Sequence, residues 1–404
     1  MIVEHIFDDY WPPQSWVASL ATTCRMLFPH VESFLYDNVV LESCNTANKY
    51  LRSVIKPERP HRATAVRVLS LNIKRCSTIV KLFINAFSKL TNLFDLTLNT
   101  DTVELFDALL TTPPHLSLLE VGGLNYPPRF HDILTAQSRL KNLHIRFVDH
   151  PIFPIRDNEP RIPPLADGAL LPSIKTLHLE APLFPPTLIT YSYPVTTLAL
   201  TRPTHEQTAY ALNLFRDTLV CFVIVKELNS RCPSRCFWPT WVLNGVHLRR
   251  LSMLDVRNEW GWDLRLNAGT FHYPDLDMMA VPGLRESCPM LRTIIWAVEY
   301  LVPETLYEGH TEGVAPIQLY VRMLCDTLPN FVRLAVYDEE ETVETPDGLF
   351  YGDIWTRENK DSDEPDTDVV DKPRWLNEAF GTYLLDLCNQ VYCNSRVPRL
   401  RKLS

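Results

Sequence analysis

Glycine is scarce in this sequence, at 12 of 404 residues, against an average usage of about 7%. Loops that cradle phosphate groups need glycine because the backbone must approach the ligand closely. The chain has no G-x-G-x-x-G and no G-K-[ST] motif, and it also lacks G-x-S-x-G and H-E-x-x-H. We therefore expect no nucleotide cofactor, no catalytic residues and no enzyme activity.

Long apolar runs, glycosylation sequons and paired cysteines are missing as well. The longest apolar run near the middle of the chain is Leu219–Val225, far short of a membrane span. The first residues carry neither a basic nor an apolar leader, so we expect a cytoplasmic or nuclear protein with no membrane partner. Reduced thiols are the default there, and Cys232 and Cys236 are too few to hold zinc. No metal is expected.

The negative net charge is local. Residues 338–371 contain 14 Asp or Glu and two basic residues, a balance of −12, whereas the whole chain carries −9. The remainder is therefore about +3 and close to neutral, which does not favour a nucleic-acid partner. The pattern predicts an acidic loop over residues 337–372.

Short apolar triads recur along the chain, each with a second member three residues after the first and a third member two residues later. They are Val66-Leu69-Leu71, Leu93-Leu96-Leu98, Leu116-Leu119-Val121, Leu140-Leu143-Ile145, Ile174-Leu177-Leu179, Val195-Leu198-Leu200, Leu219-Phe222-Ile224, Leu248-Leu251-Met253, Leu291-Ile294-Trp296 and Phe331-Leu334-Val336. Six of the first seven intervals between them span 21 to 29 residues. A strand this short must stack on its neighbours to bury its apolar side, which predicts a solenoid.

Between several triads the hydrophobic period changes from that of a strand to that of a helix. Apolar positions spaced for one helix face occur in 79–90, 103–110 and 317–328. The sequence therefore predicts an α/β solenoid of parallel strands with helices on one side. The alternative is a set of ordinary strands in an irregular α/β domain.

Over residues 62–337 the pattern resembles leucine-rich repeats. The family usually has Asn or Cys three residues after the last strand leucine. This sequence has Lys74, Asp101 and other residues there, and none of the ten positions is Asn. The resemblance is to the irregular end of the family, and it implies a protein-binding surface.

The first 45 residues resemble the F-box motif of fungal F-box/leucine-rich-repeat proteins. Ile6-Phe7 match the paired Ile-Phe of its first helix, and residues 23–27 match its Val-Cys-Arg-x-Trp stretch. Residues 34–41 look like the segment that leaves the motif. The Leu-Pro pair that opens the family motif has no counterpart before Ile6, so the chain is expected to start inside the motif.

The F-box resemblance implies two units and two partners. Residues 1–45 would form three short helices that dock on the adaptor subunit of an SCF-type ubiquitin ligase, and residues 46–404 would form the solenoid, closed by a helix over 373–395. The adaptor-binding side chains would be Val3, Ile6, Phe7, Tyr10, Leu20 and Cys24. The alternative is that these helices only cap the end of the stack, which every solenoid needs.

Strand alternation predicts where a target protein would bind. Residues between the second and third triad members point away from the helices, and Thr97, Glu120, His144, His178 and Ser252 occupy such positions. We predict target contacts from Glu120, His144, Arg146, His178 and Glu180. The sequence thus favours the substrate-recognition subunit of an SCF-type ubiquitin ligase. The second reading is an interaction scaffold with no link to ubiquitin, and the third is an enzyme of unknown class.

Overall fold

The computed structural model describes eleven stretches of the chain, and these contain one sheet of thirteen strands. The stretches are 28–110, 116–123, 129–147, 174–180, 194–228, 239–243, 245–260, 281–298, 316–338, 350–358 and 366–370. The strands are β1 Asn38–Leu41, β2 Val68–Asn72, β3 Asp95–Asn99, β4 Leu118–Gly123, β5 Asn142–Phe147, β6 Thr176–Glu180, β7 Thr197–Thr201, β8 Cys221–Leu228, β9 Met253–Trp260, β10 Thr293–Val298, β11 Arg333–Asp338, β12 Phe350–Thr356 and β13 Asp366–Val370.

The strands lie in the sheet in the same order as in the sequence. All pairs from β1 to β11 are parallel, while β12 and β13 are antiparallel to their neighbours. The sheet does not close on itself, since β1 and β13 lie at its two ends. This arrangement is an α/β fold with a mostly parallel sheet, as the sequence predicts, and it is consistent with a solenoid.

Helices follow many of the strands and cover one side of the sheet. They are α1 Phe28–Asp37, α2 Cys44–Val54, α3 His61–Ala65, α4 Val80–Phe87, α5 Glu104–Asp107, α6 Phe130–Ala136, α7 His205–Leu214, α8 Leu284–Ser287 and α9 Pro316–Thr327, with short 3-10 helices at Ser77–Ile79, Ala108–Leu110 and Pro239–Leu243. The predicted helical patterns in 79–90 and 317–328 correspond to α4 and α9, and that in 103–110 to α5 and the 3-10 turn after it. Phe83 and Phe106 are buried against the strands.

The apolar triads form one continuous core. Leu69 pairs with Leu96, Leu96 with Leu119 and Leu119 with Leu143 across successive strands, and these residues are almost completely buried. Burying an aliphatic side chain contributes about 1.5–3 kcal/mol. Stacking of neighbouring strands therefore supplies the stability that no single repeat could provide alone.

The register predicted for one triad is wrong. The sequence predicts Leu248-Leu251-Met253, but Leu254 and Val256 of β9 pair with Phe222 and Ile224 of β8. The buried triad is Leu251-Leu254-Val256. Met253, placed in the core by the sequence, instead pairs with Cys221 and Thr293.

The acidic stretch contains more order than a loop. Strand β12 pairs with β11 through Leu334 and Trp355, and β13 continues the sheet. Trp355 is fully buried in the same core as the triads, which explains why a segment of such charge can join the sheet here. The predicted helix over 373–395 lies outside the described residues.

Two cysteines depart from the expectation of reduced thiols. Cys44 of α2 and Cys76 form a disulfide, with their Cα atoms 6.0 Å apart. The pair links the helix after β1 to the segment after β2. Disulfides are rare in reducing compartments, so the expectation of reduced thiols does not hold for this pair.

Candidate functional site

The face of the sheet opposite the helices carries one residue per strand between the two core positions. We call this line the central row. From β2 to β11 it consists of Ser70, Thr97, Glu120, His144, His178, Ala199, Val223, Asp255, Ile295 and Ala335. Three of its four ionisable members, Glu120, His144 and His178, lie side by side on β4, β5 and β6.

Glu120 lies at the start of this cluster. Its carboxylate accepts a hydrogen bond from Nη2 of Arg146, and its Oε2 lies 3.4 Å from Nδ1 of His144. Burial alone would raise the pKa of Glu120, but hydrogen bonds and charge from His144 and Arg146 outweigh burial, so the net pKa is lowered. Glu120 is therefore ionised at neutral pH and shared between two donors.

Glycine makes room for this contact. Gly122 of β4 pairs with Arg146 of β5, and a Cβ atom at position 122 would lie 2.9 Å from the carbonyl oxygen of Arg146. The next residue, Gly123, has φ of +146° and a Cβ there would lie 2.2 Å from the carbonyl oxygen of Thr100. Two glycines in a chain poor in them thus permit the close approach of β4 to its neighbours.

His144 and His178 stack on each other in the middle of the cluster. Their ring centroids are 3.9 Å apart and the ring planes differ by 12°. Nε2 of His178 lies 2.9 Å from Oγ1 of Thr201 on β7. Burial lowers the pKa of His178 well below its usual value, and the positive charge of nearby groups, including Arg257, lowers it further. This ring is therefore neutral at pH 7.

A second charged pair lies on β9, where the sequence prediction had the wrong register. Nη2 of Arg257 is 3.3 Å from Oδ2 of Asp255, and both side chains are buried. Asp255 takes the central-row position that the sequence assigned to Ser252. With the triad Leu251-Leu254-Val256, strand alternation would have identified both residues.

The structure brings the predicted target-binding residues together, but not on an open surface. Glu120, His144 and His178 are 7%, 6% and 2% exposed, and only the Arg146 side chain remains in part accessible. Glu180 pairs with Arg146 in the backbone ladder, although its side chain lies outside the described residues. The exposure that strand alternation implies is therefore wrong for the three buried side chains. Their role in target binding remains a prediction.

The predicted adaptor-binding residues, Val3, Ile6, Phe7, Tyr10, Leu20 and Cys24, lie outside the described residues, and so do Cys232 and Cys236. Within the stretches described, no three His, Cys, Asp or Glu side chains come close enough to hold a metal ion. Helices in those stretches are all too short or too polar to cross a bilayer.

Among the described residues, the cysteines outside the disulfide do not form a nucleophilic site. Cys221, Cys288 and Cys325 are buried. Burial raises the pKa of Cys288 to about 11 and that of Cys221 well above its usual value. The thiols of Cys221 and Cys288 therefore stay protonated at neutral pH and react poorly. The cluster around Glu120, His144 and His178 offers fixed charge and hydrogen bonding.

Comparison with known proteins adds no family. No family model matches the sequence, and no curated protein matches it significantly. What points to a function is therefore the geometry of the sheet and the residues on it.

Proposed function

We propose that this chain is a protein-interaction protein that binds its target along the sheet face opposite the helices. The observation that carries the proposal is the length of the sheet. Eleven parallel strands in chain order, spaced about 4.8 Å apart, make one long sheet face, on which Ser70, Thr97 and Arg146 are in part accessible. A face of this length suits an extended or folded protein partner better than a small substrate.

Within that face, Arg146 is the residue through which we propose direct target contact. Its guanidinium is held by Glu120, which is itself positioned against His144 and the stacked ring of His178. A preorganised arginine loses less entropy on binding than a mobile one, and arginine is enriched among binding hot spots. The buried members then act as positioning residues, and Arg146 supplies the contact.

The finer proposal is that the chain is the substrate-recognition subunit of an SCF-type ubiquitin ligase. It is supported by the likeness of residues 1–45 to an F-box motif and of residues 62–337 to leucine-rich repeats. In this role the protein performs no covalent chemistry. It raises the local concentration of a target lysine near a carrier enzyme by holding both partners at once.

The second candidate is a solenoid scaffold with no link to ubiquitin, whose N-terminal helices only cap the stack. One observation favours it. Val31 of α1 is fully buried, and the buried carboxylate of Glu32 accepts hydrogen bonds from Arg62 of α3 and lies 2.7 Å from Nε2 of His61. Helix α1 is thus docked on α3 beside β1, at the first end of the sheet, as an end cover would be.

Co-purification with the SCF adaptor subunit separates the two candidates. The ligase proposal expects the full chain to retain the adaptor, and Ile6→Asp with Phe7→Asp to abolish retention. The matched control is Met290→Asp with Val332→Asp, since both residues are exposed and apolar at the other end of the sheet. Failure of the unmodified chain to retain the adaptor would leave the scaffold, and retention by the Ile6/Phe7 variant would reject a docked F-box.

A further inference from the structure

A stretch of the N-terminal part of the chain is strongly basic. Residues 43–94 contain ten Lys or Arg and a single acidic residue, Glu58. Residues 43–94 therefore carry a net charge of about +9, although all residues outside 338–371 together are close to neutral. Charge of this density on one part of a protein raises the local concentration of oppositely charged partners.

Five of these side chains form one surface on neighbouring helices. We call it the basic surface, and it comprises Lys49, Arg52, Lys56, Lys81 and Lys89. On α2, Lys49 and Arg52 fall on one stripe with Lys56 just beyond the helix end. On the adjacent helix, Lys81 lies near the start of α4 and Lys89 just after its end. Nζ of Lys89 donates to the carbonyl of Ile55, at 3.0 Å, so the ends of both helices meet.

Charges on the basic surface are not neutralised within the described part of the chain. All five residues are exposed, and among described residues no carboxylate pairs with Lys49, Lys56 or Lys81. Several other basic residues of the stretch are already paired, since Arg62 binds Glu32 and Arg67 lies 3.6 Å from Asp37. Together with exposed Lys74 after β2, the basic surface is the part of this region that is left for a partner.

The surroundings of the basic surface indicate what kind of partner fits. Exposed Glu104 and Asp107 of α5 follow on the next repeat, so the positive area is only two helices wide. The exposed large apolar residues of the described chain all lie outside α2 and α4, which disfavours insertion into a membrane. Tyr50 is stacked on Tyr36 instead of open for a base. These features favour a short carboxylate-rich polypeptide.

We propose that the basic surface binds the acidic segment, residues 338–371, of a second copy of this chain. That segment supplies 14 carboxylates against two basic residues and begins with a run of four, from Asp338 to Glu341. The resulting contact joins different surfaces on the two copies, so it builds head-to-tail assemblies. This inference is independent of the proposed function, because it requires neither an adaptor nor a target.

The same copy cannot make this contact. Strands β2 and β11 are nine strand positions apart, or about 43 Å along the sheet. The eleven residues between Asp338 and Phe350 are anchored at both ends by β11 and β12. Even fully extended, the middle of this segment can lie only about 20 Å from the strands that hold its two ends. The stretch between β12 and β13 is shorter still.

Sedimentation of the full chain at low and high salt tests the proposal. At low salt we expect the weight-average mass to rise with concentration to at least twice the monomer mass of 46.6 kDa. In 1 M salt the screening length falls to about 3 Å, and we expect the monomer mass. A full-length chain that stays monomeric at low salt overturns the proposal.

Two charge-reversal variants make the test specific. Variant one carries Lys49→Glu, Arg52→Glu and Lys56→Glu, and variant two carries Glu339→Lys, Glu340→Lys and Glu341→Lys. Each is expected to be monomeric alone, and an equimolar mixture is expected to associate, because the acidic segment or surface of one variant then faces an oppositely charged partner on the other. Self-association that persists in either variant, or no complex in the mixture, overturns the proposal.

The control reverses three exposed basic residues elsewhere, Lys141→Glu, Lys175→Glu and Arg285→Glu. It changes net charge as much as variant one and is expected to associate like the unmodified chain. Duplex RNA and anionic lipid vesicles are added as further probes. If the unmodified chain is monomeric and binds RNA or vesicles, and variant one does not bind them, the basic surface serves another polyanion. That result overturns the proposal.

Discussion

The first strands of the sheet and its middle strands are alike on the face toward the helices and differ on the opposite face. Toward the helices, β2 and β3 bury Leu69 and Leu96 just as β7 and β8 bury Leu198 and Phe222. On the opposite face, Ser70 and Thr97 are half-buried, whereas Ala199 and Val223 are buried. The repeat therefore dictates only the side that faces the helices, and the other side is free to become either an accessible surface or a second interior.

A charge on the opposite face should separate the two regions most strongly. Val223→Asp places a carboxylate in a buried position on β8, which we expect to cost about 4 kcal/mol of unfolding free energy. Ser70→Asp on β2 should change the free energy of unfolding by no more than about 0.5 kcal/mol. Urea unfolding of both variants measures the contrast. Equal effects would mean that this face is not differently buried in the two regions.

Truncation on the helix-facing side should show no such contrast. Leu96→Ala on β3 and Leu198→Ala on β7 each remove a fully buried leucine from the same core. We expect each to lower the unfolding free energy by about 2–5 kcal/mol. Thermal or urea unfolding provides the values. A small effect for only one of the pair would show that the core is not continuous between these strands.

Acid should weaken the histidine cluster before it affects the N-terminal strands. The folded pKa of His178 is lowered, so its stabilising contribution is complete above the unfolded value near 6.5 and is lost as pH falls below that value. His178→Gln keeps a polar group near Thr201 and should change stability by about 1 kcal/mol or less at pH 7.5. Melting temperatures at pH 7.5 and 5.5 should differ less in the variant than in the unmodified chain.

On the N-terminal side, Asp95 of β3 should respond to pH in the opposite sense. Burial, together with the negative charge of Glu120, raises the pKa of Asp95 to about 6. A carboxyl with a raised folded pKa favours folding when protonated, so stability from this group rises as pH falls through 6 toward the unfolded value. Asp95→Asn should raise the free energy of unfolding by about 1 kcal/mol at pH 7.5, after allowance for partial solvent screening. At pH 4 it should leave the free energy of unfolding unchanged. A destabilised variant at pH 7.5 would contradict this sign.

Much of the fold follows from local pattern, because a buried strand and a buried helix stripe leave different apolar periods. Register is harder to predict, as β9 shows. Leu248, Leu251, Met253, Leu254 and Val256 contain two overlapping triads, and only pairing with Phe222 and Ile224 of β8 decides between them. The wrong register assigns to Ser252 the strand position that Asp255 occupies, and it leaves Asp255 and Arg257 out of the face opposite the helices.

Contacts between strands were also beyond the pattern. Glu120, His144 and His178 were identified because each lies between two core positions. Their burial, the stacking of the rings and the bond to Thr201 depend on the pairing of β4 through β7. Cys44 and Cys76 are 32 residues apart and meet only because neighbouring repeats lie side by side.

Because the strands lie in the sheet in the order of the sequence, the connections between them can vary in length during evolution. Each connection begins and ends at adjacent strands, so its length is not coupled to the register of the sheet. The connection is 18 residues from β3 to β4 and 32 residues from β9 to β10. Doubling the length of a flexible loop costs only about 0.6 kcal/mol of closure entropy. Insertions can therefore accumulate at one repeat while the rest keeps its geometry, which makes this architecture a tolerant starting point for acquiring new specificities.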